Sequence, residues 1–155
     1  MKLFMWLVHQ KKMLTWDNIQ KRGVMGPSRG QLCEAQEETM EHILNSCTYT
    51  SWMWDSFKSI FQQTDKDKGN IINTLNRWRK NISELEILNL AWTFMESFII
   101  SNVWKEMNKR ILKEEKTTPL RMMDLILKQI KETVSTTVHS YPKNPPIVIE
   151  LRTLK

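Results

Sequence analysis

Thiolate and imidazole are the side chains that suit zinc best, and this chain sets two of the first and one of the second close together. Cys33 is followed by His42 after eight intervening residues, and His42 by Cys47 after four. A His with a Cys five positions on fits a compact metal knuckle. A structural zinc site takes four ligands, and only three are present; a water, Glu37 or Glu38 could fill the fourth position. The competing reading is two buried thiols and a surface imidazole, and the spacing leaves both open. A site of this kind would not be catalytic, because catalytic zinc also needs a cleft and a positioned acid or base, and neither is signalled.

No other enzyme chemistry is written in the chain. A Tyr-x-Asp-Asp polymerase signature, a glycine-rich phosphate loop and a nucleophile elbow are all missing from the sequence. The acids fall mostly on expected helix surfaces or in loops, where solvation explains them. The chain is therefore expected not to be an enzyme and to have no small-molecule substrate.

The second kind of chemistry is phosphate contact. The formal charge is +6, and it is unevenly spread. Residues 1–30 carry six basic residues against one acidic, and residues 31–68 carry three against seven. Lys11, Lys12, Lys21, Arg22 and Arg29, beside Trp16, are the candidate nucleic-acid contacts, because aromatics between cations can stack on unpaired bases. A second patch is expected on one face of a long helix, at Lys105, Lys109, Arg110 and Lys113. In both places the plainer alternative is a solvated surface, with Trp16 in the core.

These residues need elements to hold them. The chain has 4 Gly and 5 Pro, too few for a fold of many tight hairpins, while 10 Met and 7 Trp suit helix–helix packing. Lys2 to about Lys12 reads as a short buried helix. Thr15 can cap a second, with Asp17 in its first turn and Gly23 past its end. Gly26 to Gly30 is a loop, Thr39 caps a helix carrying Met40, Ile43 and Leu44, and Thr50 or Ser51 starts another carrying Trp54, Phe57, Ile60 and Phe61. Thr64 to Asn70 is a polar loop, and Ile71 to Lys80 a further helix.

Ser83 to Glu86 forms a capping box that opens a helix running to about Glu115. Leu88, Trp92, Met95 and Ile99 make its apolar stripe, continued by Ile100, Trp104, Met107 and Ile111. Thr118-Pro119 starts the next helix, with Met123, Ile126, Leu127, Ile130, Val134 and Val138 on its apolar face. The two helices are expected to pair as an antiparallel hairpin. The fold class is thus all-α: short helices around a zinc-knuckle-like loop, followed by a long helical hairpin. The expected division is 1–80 for the ligand-bearing domain, 81–140 for the hairpin packed on it, and 141–155 for an extended, poorly ordered tail. Two Cys make no disulfide framework, and neither an export signal nor a membrane span is evident, so an intracellular, non-secreted chain with reduced thiols is expected.

Lys2-Leu3-Phe4-Met5-Trp6-Leu7, Leu14-Thr15, Asp17-Asn18-Ile19 and Lys21-Arg22-Gly23 resemble the opening of a known domain. It is the zinc-binding domain that follows reverse transcriptase in plant non-LTR, LINE-type retrotransposons. That family continues with a Cys-x-x-Cys pair, a Glu-Glu-Thr run, a His with an apolar pair, a last Cys and then a Trp. This chain has Gly30 to Cys33, Glu37-Glu38-Thr39, His42-Ile43-Leu44, Cys47 and Trp54. Val103 to Arg110 is similar to the family's Trp-Lys-Glu-Arg-Asn-Lys-Arg helix, with Met107 where Arg is usual. Gly30 stands where the family has its first Cys, and the chain begins inside the family's first helix. The resemblance implies a truncated member with one ligand lost, with Cys33, His42 and Cys47 as the remaining zinc ligands. It further implies a non-catalytic role assisting template RNA or target DNA binding. The alternative is a metal-free helical protein-interaction module with no nucleic-acid role.

Overall fold

The computed structural model describes residues 2–26, 28–60, 70–78 and 86–139, and among these the fold is all-α. The order is α1 (Lys2–His9), α2 (Trp16–Gln20), a π-helical turn (His42–Ser46), α3 (Thr48–Ile60), α4 (Ile71–Trp78), α5 (Glu86–Lys113) and α6 (Pro119–His139). The Ser83 capping box, the loop at 64–69, Phe61 and the tail at 141–155 lie outside the described residues.

α1 buries Met5 and Val8, one helical turn apart, and leaves Leu3 and Trp6 outside. It ends with Lys11 in the left-handed region at φ 53. The N–H groups of Lys11 and Lys12 donate back to the carbonyls of Val8 and Leu7, at 3.0 and 2.9 Å. That pair of bonds is a Schellman closure, a place glycine usually fills. α2 follows with buried Thr15 at its cap, whose hydroxyl donates to the Asp17 carboxylate. The Asn18 amide reaches back to the carbonyls of Lys11 and Met13 and so fixes the angle between α1 and α2. Gly23 lies past the end of α2 at φ 84, as the sequence predicts.

One hydrophobic core joins the ligand region to the long helices. Ile43, Leu44, Met53 and Phe57 meet Met95, Ile99, Ile100 and Val103 of α5 and Ile126, Ile130 and Val134 of α6. α5 and α6 form the expected hairpin, and the Asn102 amide donates across it to Gln129 Oε1 at 2.8 Å. Thr118 caps α6, accepting from the Arg121 N–H, so the Thr-Pro start is read correctly. The α5 stripe needs correction at its end. Ile111 is half exposed, and Val103 takes the inward place, because the face that meets α6 stops at the chain reversal.

The Lys11 backbone supplies a test. Lys11→Gly should raise the melting temperature, since a β-carbon in the left-handed region costs about 1 kcal/mol that glycine does not bear. A thermal melt showing a lower value would mean that the closure does not hold in solution.

Candidate metal centre

Two tight devices deliver the three ligands. The first is the loop at 28–38. An antiparallel bridge pairs Arg29 with Glu37, and the Gly30 N–H donates to the Gln36 carbonyl at 2.8 Å. The reversal passes through Glu34, at φ 56, beside half-buried Cys33. Glu38 anchors the loop to α2: its Oε1 accepts from the Trp16 N–H and its carbonyl from the Asp17 N–H. Burial, aided by Asp17 nearby, pushes the Glu38 carboxyl up against the pull of the Trp16 N–H.

The second device is the π turn. Thr39 starts it, its hydroxyl accepting from the His42 N–H at 3.1 Å. The Cys47 N–H then reaches back five residues to the His42 carbonyl, at 2.7 Å. Widening the turn strands the carbonyls of Ile43 and Leu44, and α3 supplies the missing donors. The Thr50 hydroxyl donates to Ile43 at 2.6 Å and the Trp54 indole to Leu44 at 2.7 Å. α3 begins at Thr48 and not at Thr50 or Ser51, because Cys47 itself is the cap. The backbone N–H groups of Tyr49 and Thr50, in the first turn of α3, act to lower its pKa. Those groups and the helix N-terminus favour a thiolate. Burial works the other way and pushes the Cys47 thiol up to about 11, with Cys33 alongside adding to the rise.

The result is one cluster. The ligand atoms of Cys33, His42 and Cys47 all lie within 4.8 Å of one another. Cys33 Sγ is 3.1 Å from His42 Nε2, and the other imidazole nitrogen, Nδ1, lies 3.3 Å from the Ser46 hydroxyl, which orients the ring. Burial holds the His42 imidazole below its ordinary pKa, toward the neutral form that binds metal. A β-carbon at Gly30 would lie 3.8 Å from His42 Nε2, so a side chain here would reach the imidazole of the cluster. Neither Glu37 nor Glu38 joins the cluster among the described residues. Two soft donors and one imidazole fit a zinc site lacking its fourth protein ligand.

The basic candidates do not form one surface. Lys11 and Lys21 line the same cavity with Asp17 and Asn18, and Lys21 pairs with both. The Lys12 ammonium lies 5.8 Å from the Trp6 ring, Arg22 is exposed, and Arg29 borders a separate depression with Glu37. Trp16 is half-buried, its ring edge against the Gly26 backbone, so the available aromatic here is Trp6. The inward spacing of Met5 and Val8 already points Trp6 outward. In the second patch Arg110 requires correction: its side chain is only 9% exposed and is ion-paired to Glu106 at 2.8 Å. No described helix is long and apolar enough to cross a membrane.

An all-α fold with a Cys/His/Cys cluster on a tight turn is compatible with a metal knuckle. Residues 1–54, the stretch that carries the three ligands, match the family model described as zinc-binding in reverse transcriptase. Among curated proteins and among solved structures nothing matches.

The turn is only as firm as its outside donors. Thr50→Val leaves the Ile43 carbonyl buried without its partner and should cost about 1–3 kcal/mol. Denaturant unfolding reads this directly, and an unchanged midpoint would show that the hydroxyl does not brace the π turn.

Proposed function

We propose that this chain is a non-catalytic zinc-binding module from a retrotransposon reverse-transcriptase polyprotein. Cys33 Sγ, His42 Nε2 and Cys47 Sγ would hold the ion, which would lock the loop at 28–38 onto the start of α3. The observation that carries the reading is the convergence of the three ligand atoms within 4.8 Å. Its experimental test is a fourth ligand at position 30. A β-carbon at position 30 needs only a small shift of the Gln36 carbonyl, 3.3 Å away, and Gly30 has no positive φ to strain a side chain. Gly30→Cys should therefore bind about one zinc per chain, and its melting temperature should fall when a chelator is added. Gly30→Ser, similar in bulk but a poor zinc ligand, should respond as weakly as the parent. Equal zinc content and equal chelator response in the two variants would favour a metal-free helical interaction module.

The module's part in its polyprotein would be to help hold template RNA or target DNA. The support is chemical: Lys11, Lys12, Lys21, Arg22 and Arg29 all lie exposed, and Trp6 is half exposed beside Lys12. Binding should be weak, indifferent to sequence and steeply weakened by salt, since phosphate contacts would supply it. A titration with a single-stranded oligonucleotide at low and moderate salt checks this, and salt-independent binding would contradict it.

A further inference from the structure

The corrected position of Arg110 places it at the back of the metal centre. It sits on α5, 77 residues beyond Cys33 in sequence. Its Nη1 donates to the carbonyls of Leu32 and Gln31, at 2.8 and 3.1 Å, the two residues that lead into Cys33. Its guanidinium carbon lies 4.9 Å from the centre of the Tyr49 ring, and Tyr49 stands two residues past Cys47 in the first turn of α3. The group is fixed from behind: Nε donates to Glu106 Oε1 at 2.8 Å and Nη2 to the Thr117 carbonyl at 3.3 Å. Glu106 also accepts from the Thr117 N–H at 2.7 Å, and the Tyr49 hydroxyl donates to the Thr117 carbonyl at 3.0 Å. Burial pushes the Glu106 carboxyl up, but the Thr117 N–H and Arg110 outweigh it and leave it below the usual carboxylate range. Glu106 is thus a carboxylate partner for Arg110 at neutral pH.

We propose that Arg110 is the positioning residue of the Cys33–His42–Cys47 cluster. It touches no ligand atom. It fixes the loop that delivers Cys33 against the helix start that presents Cys47, and so makes the α5–α6 reversal part of the centre. Only a planar fork can satisfy Glu106, the loop carbonyls and the Tyr49 face together; a lysine ammonium has the charge without that geometry. The metal half of this proposal rests on the zinc reading, whereas the placement of Cys33 does not.

The test uses the full chain with Arg110→Lys and Arg110→Met, and Ile126→Ala as a comparison that loosens the shared core without removing any Arg110 contact. Metal-free proteins are alkylated with iodoacetamide well below their melting temperatures, and Cys33 is followed by peptide mass spectrometry. Both Arg110 variants should label Cys33 about tenfold faster than the parent, and Ile126→Ala should not. Arg110→Lys keeps the charge and loses only the planar fork, so acceleration shared by both variants reports loss of placement. In parallel, each change is made in the Gly30→Cys background and titrated with zinc against a competing chelator. Arg110→Lys should weaken zinc by about tenfold, as the loss of residues that orient ligands does elsewhere. Parent-like labelling of Cys33 in both Arg110 variants, or equal acceleration by Ile126→Ala, would overturn the proposal. So would an Arg110→Lys variant that binds zinc as tightly as its Gly30→Cys parent. If no background binds zinc, the metal reading alone fails, and the labelling result still decides the placement of Cys33.

Discussion

The buried ion pair of Glu106 and Arg110 is the constraint through which the parts of this fold communicate. Two opposite charges leave water only when their remaining hydrogen-bonding groups are matched, and here backbone from two regions and a ring from a third supply the matching. Thr117 comes from the α5–α6 reversal, Gln31 and Leu32 from the ligand loop, and Tyr49 covers the guanidinium from α3. Removing either charge would leave the other unpaired in the interior. The pair therefore specifies where the long hairpin must sit relative to the cysteine loop.

Within that frame the π turn solves a geometric problem. In an α-helix, residues five apart point roughly 140° away from each other. His42 and Cys47 are five apart, and a regular helix through both would aim their side chains in different directions. The one-residue widening, closed by the Cys47 N–H on the His42 carbonyl, brings them to one side. Its cost is two stranded carbonyls, answered by Thr50 and Trp54 on the next helix. The same widening ends at Cys47, whose carbonyl accepts the first helical bond of α3 from the Ser51 N–H. One local irregularity thus sets the bearing of the imidazole, the cap of α3 and the direction of the thiol.

Much of this was legible in the residues and some was not. Helix starts and stops made by local chemistry were readable, as Thr118-Pro119, Thr15 and Gly23 show. So was the stripe from Trp92 to Ile100, because burial against one partner follows helical period. The convergence of Cys33, His42 and Cys47 was suggested by residue type and by resemblance, and by spacing only weakly. Two features escaped. Sequence places the start of α3 late because cysteine is not an ordinary cap, and only the fold shows Cys47 extended with its carbonyl accepting from the Ser51 N–H. Arg110 falls in a sequence patch with Lys105, Lys109 and Lys113, where nearby Glu106, Glu114 and Glu115 favour a solvated face. Glu106 is one turn away on the same helix, but the loop carbonyls that Arg110 also holds lie 78 and 79 residues away in the chain, beyond any local pattern.

The central claim is that two sulfurs and one imidazole share a metal ion. X-ray absorption at the zinc edge, on the zinc-loaded parent chain, tests it at the bonds themselves. The account predicts a four-coordinate ion with two sulfur scatterers at about 2.3 Å and one imidazole nitrogen at about 2.0 Å, the fourth place taken by oxygen or nitrogen. A spectrum with only oxygen and nitrogen neighbours, and no sulfur shell, would contradict it.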